Sequence, residues 1–156
     1  NVVGCINISN TYTVTGVTTP IYFQRKIYSP STSFNLSSIQ QNSDGGYIIC
    51  GTDQGTIGGY YDMVVMKTNG NGNIIWSLNY GTTGDEDRCS SIKETKDKGF
   101  VFVGVAEGFF TVTKIDSAGN IQWVRQNQGY ARGIDIVETM DNGYVAMGID
   151  GASFSL

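Results

Sequence analysis

Histidine is absent from the chain. Ser-His-Asp and Cys-His catalysis therefore lose their general base, and the commonest metal ligand is missing. Charge is scarce too: charged residues make up 15% of the sequence, with a formal net charge of -4. No run of Lys or Arg occurs, which argues against nucleic-acid binding through a basic face. No apolar stretch approaches the roughly 18 residues of a spanning helix. Cysteine is limited to Cys5, Cys50 and Cys89. An odd number allows at most one intrachain disulfide and leaves one thiol over. Cys50 stands just before a recurrent Gly and reads as a buried core residue. Cys5 and Cys89 are then the better candidates for a bridge. One acidic cluster stands out, Asp85-Glu86-Asp87. Neighbouring carboxylates suit acid–base work or calcium, but a solvated loop is the simpler reading. No catalytic residue, metal or cofactor is expected, and the chain reads as non-enzymatic.

What is present is turn and strand material. Aromatics reach 12% and Gly numbers 21 in 156 residues, the usage of an all-β protein with one real core. The chain opens on Asn1 rather than Met, which reads as a processed form or a piece of something longer.

A unit recurs. Asp44-Gly45-Gly46-Tyr47 returns as Asp97-Lys98-Gly99-Phe100 and as Asp141-Asn142-Gly143-Tyr144. A further Gly follows each copy, at Gly51, Gly104 and Gly148. Between copies lies Lys67 with Gly72-Asn73-Ile74-Ile75-Trp76, which returns as Lys114 with Gly119-Asn120-Ile121-Gln122-Trp123. Repetition every 40–50 residues or so marks a repeat architecture. Four strands per unit follow. Strand a ends at Ile39, Ile92 and Ile136. Strand b is Tyr47 to Cys50, Phe100 to Val103 and Tyr144 to Met147, short apolar runs expected to be buried on both faces. Strand c is Asp62 to Lys67 and Phe110 to Lys114. Strand d is Ile74 to Tyr80 and Ile121 to Gln126. Asp-x-Gly forms the a–b turn, with Asp bonding its own backbone and the Gly supplying positive φ.

Four short antiparallel strands per unit describe a propeller blade. Phe23 precedes Trp76 by as much as Asp44 precedes Asp97, so Ile21 to Ile27 reads as a worn strand d, with Tyr12 to Thr15 before it as strand c. The expected division is 1–32 as an N-terminal segment with strands c and d, 33–85 as the first blade, 86–130 as the second, and 131–156 as strands a, b and the start of c. That is about three blades' worth of strands, too few to close within one chain, since closed propellers use about four to eight.

These residues resemble the extracellular β-propeller repeats of microbial secreted and surface proteins, with D-G-G-Y-I-x-x-G followed by K-x-D-x-x-G-N-x-x-W. Residues 33–156 carry the pattern. The resemblance implies an extracellular or cell-surface setting and a role as binding platform, surface protein or scaffold. Asn42-x-Asp44-x-Gly46 and its copies are also similar to the Asp-box hairpin of sialidase-type propellers, which is mostly structural there. Arg25, Arg88, Arg125 and Arg132 fall at non-equivalent blade positions, so sialidase activity is not implied.

Trp76 and Trp123 occupy matched positions and are expected to be core packing between blades, largely buried. Tyr60 and Tyr61, in the longest loop, are the exposed aromatics most suited to contact a ligand. Asn7-Ile8-Ser9 and Asn35-Leu36-Ser37 are glycosylation sequons. The leading functional expectation is a self-assembling structural subunit, a glycoprotein of a surface assembly or filament. Its partners are copies of itself, through blades completed between subunits. The alternative is a ligand-binding, lectin-like or protein-binding propeller fragment of a longer surface protein. If Asn7 or Asn35 carries glycan, the intact mass of the native protein should exceed that of the bare polypeptide; equality would remove the modification.

Overall fold

The computed structural model describes residues 34–54, 60–81, 84–130, 132–149 and 154–155. Their regular structure is all strand: β1 (Phe34–Gln41), β2 (Tyr47–Gln54), β3 (Tyr61–Thr68), β4 (Ile74–Tyr80), β5 (Arg88–Glu94), β6 (Phe100–Ala106), β7 (Phe109–Ile115), β8 (Ile121–Tyr130), β9 (Arg132–Glu138), β10 (Tyr144–Ile149) and β11 (Phe154–Ser155). They form three antiparallel sheets in chain order: β1 to β4, β5 to β8, and β9 to β11. These are blades of a propeller-like stack, and the described residues do not close it into a ring. Several strands run beyond the apolar runs that announced them. Strand a begins at Phe34 and Arg88, because hydrogen bonding to strand b continues past the hydrophobic positions.

Both complete blades carry the same irregularity. The register of strand a slips between Leu36 and Ser38 and between Cys89 and Ser91. An extra residue here bends strand a toward strand b. That is why Gly recurs at the end of the apolar run: a Cβ on Gly104 would overlap the Arg88 carbonyl oxygen.

The a–b turns correct one expectation. Positive φ falls on the residue between Asp and Gly, at Gly45 (81°), Lys98 (66°) and Asn142 (65°), not on Gly46, Gly99 or Gly143. In the first turn Gly45 N donates to Asn42 O (2.9 Å) and Asn42 N to Gly46 O (2.8 Å). The Asp carboxylate accepts from the Gly amide two residues on, Asp44 from Gly46 (2.9 Å) and Asp97 from Gly99 (3.0 Å). Gly46 and Gly99 are required for space instead, since a Cβ there would overlap Thr68 O and Ile115 O of strand c. The c–d turns repeat the design, with Asn69 and Asp116 as acceptors and Gly72 and Gly119 at positive φ.

The two recurrent signatures meet in space. Lys67 Nζ donates to Asp44 Oδ2 (2.7 Å), and Lys114 Nζ to both Asp97 oxygens (3.1 and 2.9 Å). Lys114 is buried and also donates to Ile115 O and Gln122 Oε1, each at 3.0 Å. A buried cation is tolerated only when its donors are occupied. The strand-c lysine thus holds the a–b turn down on the sheet.

The core lies between blades. Ile48, Cys50, Met63 and Val65 of the first blade pack against Cys89, Ile92, Phe100, Phe102 and Ile115 of the second. Val101, Val103 and Val112 pack in turn against Ile136 of the third. Trp76 and Trp123 bridge the same joints, Trp76 edge-on to Phe100 (centroids 6.2 Å apart) and Trp123 tilted on Tyr144 (5.5 Å). Both indoles are half-buried rather than enclosed. Strand d is the outer edge of its sheet, so one flank of each ring remains in water.

One position breaks the repeat. Thr95 donates its hydroxyl to Asp97, and Thr139 to Asp141. The first blade has Asn42 there, buried, with neither amide atom hydrogen-bonded to a described residue. Asn42→Thr should place a hydroxyl on Asp44 and remove the orphaned amide, stabilising the fold by about 1 kcal/mol. The urea midpoint of the variant checks this.

Candidate functional site

The positions that the sequence nominated scatter over the fold. Asp44, Asp97 and Asp141 sit in the a–b turns and are occupied with turn amides, Thr hydroxyls and lysines. The Lys67 ammonium, then the Gly46 amide, lowers the pKa of Asp44. That of Asp97 is lowered to about 2, chiefly by the Thr95 hydroxyl and then by Lys114 and the Gly99 amide. Asp135 is lowered mainly by the Ser91 hydroxyl, which donates to it at 2.5 Å across a blade joint.

The acidic triplet does not act as a unit. Asp85 and Glu86 are exposed, and Glu86 pairs with Arg88 at 2.6 Å. Asp87 is buried, donating its amide to Tyr61 O (2.7 Å) and accepting from Glu107 N (2.9 Å). Tyr61 likewise leaves the loop assigned to it: it opens β3 and lies under the Arg88 guanidinium, 4.8 Å from the ring centroid. Tyr60 stays exposed. Asn35 is exposed within β1, opposite Thr52. Asn7 and Cys5 lie outside the described residues, as do Tyr12 to Thr15 and Ile21 to Ile27. Cys50 and Cys89 are free buried thiols in one core cluster. Burial, with Cys50 beside it, pushes the Cys89 thiol well up.

Among the described residues, two features stand out as able to bind something. One is a groove of about 410 Å³ between the first two blades, lined by Tyr80, Asp87, Glu107, Thr111, Ile121 and Gln126 among others. Tyr80 donates to Gly119 O (2.6 Å), and its burial pushes the phenol up to about 12.

The other is the pair of outward blade faces. Strand b is buried on both faces in β2 and in most of β6, but in β10 Tyr144 to Met147 alternate between half-buried and exposed. Val145 and Met147 occupy the positions of Ile48 and Cys50 in β2 and of Val101 and Val103 in β6. They are 45% and 36% exposed, while those four are buried. At the opposite end, Ile39 is 65% exposed, while its counterparts Ile92 and Ile136 are at 0% and 1%.

Comparison with protein-family models finds no match for this chain, and none is found among curated proteins.

The tied carboxylates set the pH response. A carboxylate whose folded pKa is depressed stabilises the fold fully above its unfolded value, near pH 4, and loses that contribution as pH falls toward 2. The urea midpoint should therefore drop between pH 5 and pH 2, and Asp97→Asn should flatten the drop. Cys50 and Cys89 should resist alkylation in the native protein and react on unfolding, read by mass spectrometry.

Proposed function

We propose that the chain is a non-catalytic structural module, a self-assembling subunit of an extracellular or cell-surface assembly, whose blades are completed by other copies. It would belong with the microbial surface β-propeller repeats that its motifs resemble. The observation that carries this reading is the difference between β10 and its counterparts. The same apolar positions that vanish into a joint in β2 and β6 meet solvent in β10. Apolar sheet faces and open strand edges invite another chain.

The recurrent polar residues support it from the other side. The Asp, Lys and Trp of the repeat are engaged in turns and joints, which leaves them no reacting group to meet. Strand exchange fits this architecture, because main-chain hydrogen bonds to a donated strand supply affinity without a preformed pocket. The sequence reading of Tyr12 to Ile27 as strands c and d makes that segment the donor for a blade that has strands a and b and only a two-residue strand c, β11. Glycan on Asn35 or Asn7 belongs to the same proposal.

The groove between the first two blades favours the second reading, a ligand-binding module. Its wall combines Tyr80 and Ile121 with Asp87, Glu107 and Gln126, a mixture that suits a polar small molecule.

The two readings predict different particles. Assembly predicts species far larger than a monomer by sedimentation and negative-stain microscopy, lost when residues 1–28 are deleted, with β-structure retained by circular dichroism. A binding module predicts a small particle whose melting temperature rises with its ligand. A well-behaved monomer of all 156 residues would overturn the structural proposal.

A further inference from the structure

We infer that Cys50 and Cys89 form a disulfide that crosses the buried joint between the first and second blades. The bond lies within one copy and holds whatever the copies assemble into. It gives Cys89 a different partner from Cys5, the one that the sequence favoured.

The two sulfurs come from different sheets. Cys50 sits on β2, strand b of the first blade. Cys89 sits on β5, strand a of the second, where the register slips between Cys89 and Ser91. Both are enclosed, at 0% and 1% exposure, in one apolar cluster with Ile48, Ile92 and Phe102. The Cys89 thiol stands within hydrogen-bonding reach of the Cys50 thiol.

The second joint shows independently that these two places face each other. Cys50 matches Val103 in the repeat, and Cys89 matches Gly133. Cys89 and Gly133 each pair with the recurrent Gly of their own sheet, Gly104 and Gly148. A Cβ on Gly133 would overlap Val103 Cγ2. The strand-b place of one blade and the strand-a place of the next therefore meet directly across a joint. The second joint fills that space with a branched side chain and a hydrogen. The first fills it with two cysteine side chains. A disulfide needs Cβ atoms that point toward each other, and facing positions on packed strands supply that.

The surroundings accept the bond at small cost. Cys89 Sγ lies 3.9 Å from Ser91 O and 3.9 Å from Val103 O. A thiol is a weak donor, so little hydrogen bonding is lost with its proton. The enclosed joint also favours the neutral thiol over the thiolate that exchange requires. The bond therefore forms before the second blade closes on the first.

The oxidant is a disulfide, for which glutathione disulfide serves as probe. One cysteine thiolate attacks a glutathione sulfur, forming a mixed disulfide and releasing one glutathione. The other cysteine thiolate attacks the protein sulfur of that mixed disulfide and releases the second glutathione. Two protein thiols are oxidised to one disulfide, and one glutathione disulfide is reduced to two glutathione thiols, which take up the two protons. The bond fastens a joint otherwise held by apolar packing and by contacts such as Ser43 to Glu94. Val103 and Gly133 offer no such link, so the first two blades become a covalent pair and the third is held by packing.

The test refolds the reduced, urea-unfolded full chain in a glutathione thiol and disulfide buffer. The product is alkylated, digested without reduction and mapped by mass spectrometry. The expected result is a Cys50–Cys89 linked peptide pair, retained in Cys5→Ser. Cys50→Val, which copies Val103, should fold without the link. A phosphine reductant should lower the melting temperature of the bridged parent by about 5–10 °C and leave that of Cys50→Val unchanged. Glutathione disulfide added to the folded, reduced protein should leave both thiols free over the same time. Ready reaction there would overturn their enclosure. A bridge from Cys5 to either cysteine, or three alkylated thiols after refolding, would overturn the pairing. A bridged protein that melts no higher than its reduced form would overturn the native joint as the place of the bond.

Discussion

The second strand of each blade carries apolar side chains on both of its faces, and in the middle blade each face is closed by a different neighbour. In β6, Phe100 and Phe102 belong to the cluster shared with the first blade, while Val101 and Val103 belong to the cluster shared with the third. A strand with period-two side chains cannot cover both faces from its own sheet. Each blade is therefore half of two cores and the whole of none. Stability in such a stack is the sum of intrinsic blade terms and joint terms, as in other repeat proteins.

That dependence explains what the recurrent polar residues do. A joint forms only if strand a and strand b are held at a fixed angle, and the a–b turn sets that angle. The Asp accepts from the turn amide and from the strand-c lysine, so one carboxylate ties three strands of a sheet together. The pKa of Asp97 is depressed first by the Thr95 hydroxyl and then by this tie. The carboxylates that recur most regularly are thus engaged within the turns. The more informative surfaces are the apolar positions whose counterparts elsewhere in the chain are covered.

Much of this is legible in the amino-acid order. Short continuous apolar runs followed by Gly locate the second strand of each blade, and fixed offsets between copies locate the rest. The limits of that reading have definite causes. Local pattern puts the left-handed turn residue on the recurrent Gly, because Gly is the residue most tolerant of positive φ. Lys98 and Asn142 adopt it instead, and the recurrent Gly answers to the crossing strand c, which no local pattern reveals. Trp76 and Trp123 resemble enclosed core because they repeat, but repetition records a shared neighbour rather than full burial. Tyr61 resembles a loop aromatic because it precedes the run that announced strand c, and strand pairing reaches one residue further back, to the Gln54–Tyr61 pair.

A single blade is thus written into the chain locally. Its turns, its strand order and its Asp–Lys tie involve residues at fixed separations, and local sterics with nearest-neighbour hydrogen bonds suffice to specify them. Which faces of that blade are satisfied is settled at the tertiary level alone. Ile39, Ile92 and Ile136 occupy the same place in three copies, and nothing local distinguishes them. One meets solvent while two are buried, because burial depends on whether another sheet stands opposite.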